Sequence, residues 1–161
     1  MRSLRRRVRS AALLRLGYRV AYRALAVWAF LRRPRVRGCM VLLSDDLGRV
    51  LLVRHTYGDR QAWELPGGWV ERDEDPVEAA RRETREELGA DVVDWERVGA
   101  VDGLWHFKRE QLSYYAARWP GGEPRVDPVE IAEAAWFDPA SPPERLGVGT
   151  RAVLGALHTL R

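Results

Sequence analysis

One stretch, Gly67 to Ala90, writes both ends of a helix and so constrains whatever packs around it. Asp75 suits the N-cap, where its carboxylate accepts from a first-turn amide that has no helical partner. Pro76 suits the first helical position, because its ring presets φ and its missing N–H removes no bond. Glu78, three residues beyond Asp75, completes a capping-box arrangement, and Gly89 can take the left-handed conformation that stops a helix. Val77, Ala80, Thr84 and Leu88 recur at three- and four-residue spacing, which predicts the stripe that packs against the rest of the domain.

Glu83, Glu86 and Glu87 fall on a different face. Residues three and four apart are neighbours on a helix, so Glu86 and Glu87 both lie beside Glu83, and such like-charge pairs destabilise the helix by a few tenths of a kcal/mol each. Either Arg81, Arg82 and Arg85 neutralise them as a solvated acidic face, or a cation does. Oxygen-only carboxylate clusters suit hard divalent ions such as Mg²⁺ or Mn²⁺, which keep waters and share positions with substrate phosphates. Gly68 precedes them in a loop where a glycine lets the backbone turn tightly and come close to a ligand.

The full spacing runs Gly68, five residues, Glu74, seven residues, then Arg82-Glu83-Thr84-Arg85-Glu86-Glu87-Leu88-Gly89-Ala90. This resembles the Nudix box, G-x5-E-x7-R-E-U-x-E-E-x-G-U with U a bulky apolar residue. Every fixed residue is matched; Thr84 and Ala90 depart from the usual larger apolar residues. With the Leu65-Pro66-Gly67-Gly68 lead-in, the resemblance covers roughly residues 37 to 140.

The resemblance implies an α/β/α sandwich around a mixed sheet, with the box as a loop and helix. It also implies divalent-metal-dependent hydrolysis of a diphosphate linkage in a nucleoside diphosphate joined to another moiety. Glu86 and Glu87 become metal ligands, Glu83 a ligand or an orienting base, and the Gly67 carbonyl a further ligand. Arg82 pairs with a box carboxylate and orients it, and Glu74 is a structural partner. A further carboxylate is expected ahead of the last strand, where Glu130 stands, with Glu133 as the neighbouring alternative. Lys108 and Arg109 are candidates for meeting substrate phosphate, against the alternative of an exposed hairpin tip. His55 and His106 have no partner spacing and are read as structural or exposed.

Subfamily markers are missing some sixteen to eighteen residues beyond Ala90, where His106, Phe107 and Lys108 stand, so the substrate stays at the level of a nucleotide-type small molecule. Two alternatives belong to other classes. A ligand-sensing Nudix module usually shows losses in the box, and an isopentenyl diphosphate isomerase needs a catalytic cysteine. Cys39 is the sole cysteine and lies in the first expected strand. A lone cysteine forms no internal disulfide, which fits a reducing, cytoplasmic setting.

Charge divides the chain. Residues 1 to 38 hold twelve arginines and no acid, whereas the remainder has fifteen basic and twenty-three acidic residues. The reading is a basic amphipathic helical arm, 1–35, joined to a catalytic domain, 36–161, of α+β class. Within the arm, Ser10 to Leu31 predicts a helix with Arg15, Arg19 and Arg23 stacked at four-residue intervals on an otherwise apolar circumference. Its arginines rule out a comfortable membrane span or a signal peptide. Three uses remain: an anionic membrane surface met through residues 10–31, packing on the domain or in a homodimer, and non-specific nucleic-acid attraction without base readout. Strands are expected at Val36–Leu43, Arg49–His55, Trp63–Leu65, Asp91–Val101, Gln111–Trp119 and Ala134–Phe137, with Ser141-Pro142-Pro143-Glu144 opening a C-terminal helical region.

Overall fold

A computed structural model describes residues 2–105 and 108–159, with side chains described for 12–103 and 108–155. His106 and Phe107 lie outside the described residues. The elements in chain order are α1 (Arg2–Arg32), β1 (Arg35–Ser44), β2 (Val50–His55), β3 (Gly67–Trp69), α2 (Pro76–Leu88), β4 (Glu96–Trp105), β5 (Lys108–Arg118), β6 (Ile131–Phe137) and α3 (Val148–Thr159).

Six strands make one mixed sheet in the order β4-β5-β1-β2-β6, with β3 joined to β1. β1 runs parallel to β5 over its whole length, from Arg35↔Arg109 to Ser44↔Arg118, and antiparallel to its other neighbours. Its second edge is divided: Gly38, Cys39 and Met40 pair with β3, while only Ser44 pairs with β2. That division opens the sheet beside Gly67 and Gly68.

Alternation along the strands builds a layer on each face, since successive side chains point to opposite sides. Cys39, Val41, Leu43, Leu51, Val53, Tyr115 and Ala117 face one way and pack with Ala79, Ala80 and Leu88 of α2. Met40, Leu42, Val50, Leu52, Leu112 and Tyr114 face the other way and pack with Val153 of α3. The result is the α+β, three-layer arrangement expected.

The Asp75 N-cap and the Gly89 C-cap of α2 form as read, but the capping box expected of Glu78 does not. Asp75 accepts from the Val77 amide at 3.0 Å, and Gly89 takes φ +66° while its amide bonds the Arg85 carbonyl. Glu78 pairs with Arg81 at 3.0 Å, so its carboxylate is drawn along the helix surface to an exposed guanidinium. Thr84 is wholly buried without penalty, because its hydroxyl donates to the Ala80 carbonyl at 2.8 Å.

The strand expected at Asp91–Val101 lies at Glu96–Trp105, since Asp94 takes a positive φ ahead of it, and three further expectations shift. Trp63–Leu65 forms no strand: Trp63 and Glu64 make single bridges, to Leu146 and Val53, and the short strand lies at Gly67–Trp69. Pro66 has no amide to donate to a ladder, and glycine at 67 (φ +147°) lets backbone lie where a Cβ would overlap the Cys39 carbonyl. The C-terminal helix opens at Val148, because the Arg145 carbonyl and the Gly147 amide are bonded to Trp63, holding that segment extended.

The third shift is which side of α1 meets the domain. The helix extends from Arg2, beyond the Ser10 start read from sequence, and Arg33 ends it at φ +44°. Arg15 donates to the Pro128 carbonyl through Nε (2.8 Å) and Nη2 (2.6 Å), and Arg19 donates through Nε to the Thr56 carbonyl at 3.2 Å. Tyr18 and Tyr22 lie on the same side of the helix against Tyr57, and Ala29 is buried. Residues 15, 18, 19, 22 and 29 share one helical face. Leu13, Leu16, Val20, Val27 and Leu31 on the other side are exposed, Leu13 by 70% and Leu31 by 71%.

Candidate active site

The loop before α2 and the helix itself bring the box together. Arg37 on β1 sends Nη2 to the carbonyls of Glu71, Arg72 and Glu74, at 2.7, 2.9 and 3.2 Å, which fixes the loop after β3. Glu74 accepts from Arg82 Nε and Nη2, both at 3.0 Å, and from the Glu71 amide. Arg82 also reaches the Trp69 carbonyl at 2.9 Å, Glu83 at 2.8 Å and Glu86 at 3.4 Å. A planar guanidinium with five donors can hold several acceptors at fixed angles, which an ammonium could not.

The three helix carboxylates occupy different surroundings. Glu86 is 61% exposed, Glu83 14%, and Glu87 as a residue only 2%. Burial pushes the Glu87 carboxyl well above the usual range, and neighbouring Glu83 adds to it; among the described residues the Gly67 amide, 3.2 Å from Oε2, is the one hydrogen-bond donor opposing it. Glu83 is also raised by burial, against the opposing pull of Arg82. Gly68 sits directly on Glu83, so that a Cβ at 68 would collide with its carboxylate.

Glu130 comes to the same place from the turn just before β6. Its charge acts on both Glu83 and Glu87, and its Oε1 accepts from the Tyr18 hydroxyl at 2.6 Å. That bond pushes the Tyr18 phenol up to about 12. Glu133, the alternative, is paired with Arg54 of β2 and is half exposed. The divergence follows from spacing: three residues apart at the edge of a strand, the two acids point to different sides.

Lys108 is buried, not at an exposed tip, with Nζ 4.4 Å from the centre of the Trp69 ring and its ammonium pushed down by burial. Arg109 is exposed and its amide bonds the Pro34 carbonyl. A cleft of about 240 Å³ runs past Gly67, Gly68, Trp69 and Lys108 to Tyr22 and Tyr57. It also takes in His55, which sequence reasoning set aside. His55 Nδ1 is buried without a partner, and burial pushes the imidazole down to about 4. Nε2 lies 3.5 Å from Glu64, whose carboxyl burial raises, so burial drives both groups toward their neutral forms. Tyr18 and Tyr22 were also missed; their signal was the i, i+4 spacing beside Arg15 and Arg19, a stripe for which the sequence leaves membrane, packing and nucleic-acid uses all open.

Among the described residues, no three His, Cys, Asp or Glu side chains are already drawn together at metal-ligand spacing. The donor set nevertheless fits a hard divalent cation. Glu87 is a buried carboxylate with one amide donor and like charges around it, and an uncompensated buried charge is costly unless a cation meets it. Arg82 supplies positive charge to Glu83 and Glu86 but makes no bond to Glu87.

A family model described as the NUDIX domain matches residues 33–155. The chain belongs to the NUDIX family. An NAD-capped RNA hydrolase NudC of Vibrio atlanticus is 29% identical over 120 residues, 74% of this chain and 44% of that protein. An RNA pyrophosphohydrolase of Saccharophagus degradans is 36% identical over 76 residues, 47% of this chain and 42% of its own length. The chain thus spans less than half the length of these curated relatives. A solved MutT NUDIX hydrolase from Burkholderia pseudomallei is 30% identical and superposes with a TM-score of 0.69, covering 75% of this chain and 96% of that one. The matched region begins at residue 33, so the whole of α1 (Arg2–Arg32) lies outside what the NUDIX model describes.

Proposed function

We propose that this NUDIX protein is a pyrophosphohydrolase that uses Mg²⁺ or Mn²⁺ to cleave the diphosphate of a nucleoside diphosphate joined to another moiety. The observation that carries this reading is the buried Glu87 carboxylate, with Glu83 and Glu130 within electrostatic reach and Gly67-Gly68 beside it. The diphosphate-cleaving enzymes named among its relatives agree with it.

Glu86, Glu87 and Glu83, with the Gly67 carbonyl, would hold the metal. A bound divalent cation supplies charge neutralisation at the phosphates and lowers the pKa of a coordinated water. The chain's own work is positioning. Arg82 and Glu74 hold α2 to the loop so that the carboxylates keep one orientation. Glu130 stands ready to take a proton from the attacking water, held in place by the Tyr18 hydroxyl. Lys108, stacked on Trp69 in the cleft, contributes a cation toward a substrate phosphate, while the exposed Arg109 would meet only a group that extends beyond the cleft. Geometry comes first in such a site, because proton transfer needs hydrogen-bond reach.

The same observations disfavour the alternatives. The carboxylate set of a working box is complete, unlike that of a sensor module. The Cys39 thiol is buried on β1 and pushed up to about 11 by burial, the opposite of an activated isomerase thiol.

The experiment is a screen of the full chain with Mg²⁺ against ADP-ribose, dinucleoside polyphosphates, nicotinamide dinucleotides and nucleoside triphosphates. At least one diphosphate should be cleaved, and Glu86→Gln or Glu87→Gln should lower turnover by about 10²-fold or more, several kcal/mol of lost charge stabilisation. Near-wild-type turnover in either variant would remove that residue from the metal site.

We also propose that the exposed apolar side of α1 holds the enzyme at an anionic membrane surface. Among the described residues no helix is long and apolar enough to cross a membrane. The exposed Leu13, Leu16, Val20, Val27 and Leu31, flanked by an arginine-rich N-terminus, favour lying in the headgroup boundary instead.

A further inference from the structure

Beside the cleft, α1 and the loop after β2 enclose a second cavity of about 390 Å³, lined among others by Arg19, Tyr22, Arg23, Tyr57, Asp59 and Arg60. It is continuous with the cleft: Tyr22, Tyr57, Gly58 and Asp59 line both. Three guanidiniums face a single carboxylate here. That carboxylate, Asp59, is already gripped by Arg145 from outside, with Nη2 at 2.9 and 3.1 Å from its two oxygens. Arg19 lends only its Nε to the Thr56 carbonyl, and Arg23 and Arg60 make no ion pair among the described residues. The cavity therefore carries positive charge that the protein itself leaves unmatched.

Its floor is aromatic. The Tyr22 and Tyr57 rings lie 5.5 Å apart, and Tyr57 is backed by His55 at 5.0 Å and Tyr18 at 6.0 Å. Burial pushes the Tyr57 phenol up, so it stays neutral and adds no negative charge. Gly58, at φ +60°, brings the loop against the helix, for a Cβ there would touch the Tyr22 ring at 3.4 Å. Arginines beside an aromatic ledge are the chemistry that binds phosphates with a base or sugar between them.

We propose that this cavity is a subsite for a second phosphate, one carried by the nucleotide half of the substrate outside the diphosphate that is cleaved. The nucleotide lies across Tyr22 and Tyr57 with its cleavable end toward Gly67-Gly68 and its additional phosphate among Arg19, Arg23 and Arg60. The ligand class is thus a nucleotide bearing a further phosphate monoester or phosphodiester. It rests on the hydrolase reading above, which supplies the first phosphate's place, and assigns α1 a part in choosing the substrate.

The test is calorimetric binding to the full chain in EDTA at low salt, with three probes: AMP, adenosine 3′,5′-bisphosphate and the dinucleotide pApA. At least one of the two probes with the additional phosphate should bind about tenfold more tightly than AMP, the increment of one charge-assisted contact, and the gain should fade as salt rises. Preference for the bisphosphate assigns a monoester, and preference for pApA a diester. Arg23→Gln/Arg60→Gln should erase the preference, while Arg118→Gln, an exposed arginine remote from the cavity, should keep it. Both substituted arginines, Arg23 and Arg60, are exposed, so the double variant leaves the core intact. Equal affinities for all three probes, or a preference that survives the double substitution, would overturn the subsite. Catalysis plays no part in the readout. Preference without cleavage in the screen above would overturn the hydrolase reading alone, and cleavage without preference this inference alone.

Discussion

Glu86 and Glu87 are neighbours in sequence with opposite surroundings, one mostly in water and the other nearly sealed, because one α2 residue turns outward and the next lies against the Gly67 loop. That the box held carboxylates was legible; how unequally α2 buries them was not, since it depends on where the loop closes. Gly68 makes the closure testable. Gly68→Ala places a methyl group on the Glu83 carboxylate, which must swing aside, so turnover should fall at least tenfold with only a modest loss of stability. Unchanged kcat in a crystal-verified variant would mean that Glu83 has no fixed position to lose. His55 gives a second residue-scale test, through stability. Its folded pKa, about 4, lies below the ordinary 6.5, so the unfolded chain takes up the proton first. The stabilising contribution is therefore complete above about pH 6.5 and is lost as pH falls toward 4, roughly 3 kcal/mol in all. Glu64, Glu83, Glu87 and Glu110, all raised by burial, act in the opposite sense, so a difference isolates the histidine. Between pH 6.5 and 4.5 the wild-type melting temperature should fall more than that of His55→Gln; parallel curves would show that His55 is protonated without cost.

Among the elements, α2 and the paired strands were read closely because their signals are local: caps for the helix, alternation for β1, β2 and β5. The extended Trp63 segment and the late start of α3 were not, since both come from bonds between residues over eighty positions apart, such as Arg145 and Gly147 with Trp63. α1 shows the same limit. Periodicity found a helix with one arginine stripe, but whether arginines face water, lipid or protein depends on what the domain offers, and it offers the Pro128 and Thr56 carbonyls to Arg15 and Arg19, with Glu130 meeting Tyr18 beside them. The outward side is consequently apolar. In flotation with phosphatidylglycerol vesicles the full chain should rise with the lipid, whereas Leu13→Ser/Val20→Ser/Val27→Ser should stay behind, losing about 1.5–3 kcal/mol per apolar side chain no longer buried. Flotation that ignores these substitutions would refute attachment through this face, and a wild-type dimer in solution that they dissolve would assign the face to a second copy.

At the scale of the whole molecule, an arginine-rich helix is laid across an acidic domain, and its Tyr18 hydroxyl reaches a carboxylate of the cluster on α2 and the turn before β6. The fold therefore gathers negative charge at one point and tolerates it at some expense in stability. Such a design should respond to a divalent cation as a unit. Without metal, Glu87→Gln removes a buried charge that one amide only partly satisfies, and the protein should gain about 1 kcal/mol, raising its melting temperature by roughly 2–4 °C. With Mg²⁺ the order should reverse. An ion that binds only the folded state stabilises by about 2.7 kcal/mol at a hundred times its dissociation constant, and the wild type holds the ligand that the variant lacks. Melting temperature followed against Mg²⁺ should thus give two curves that cross, the wild type climbing from below and the variant nearly flat. A wild-type curve that stays flat into the millimolar range, or a variant that climbs as steeply, would mean that the buried carboxylate is not where the metal binds.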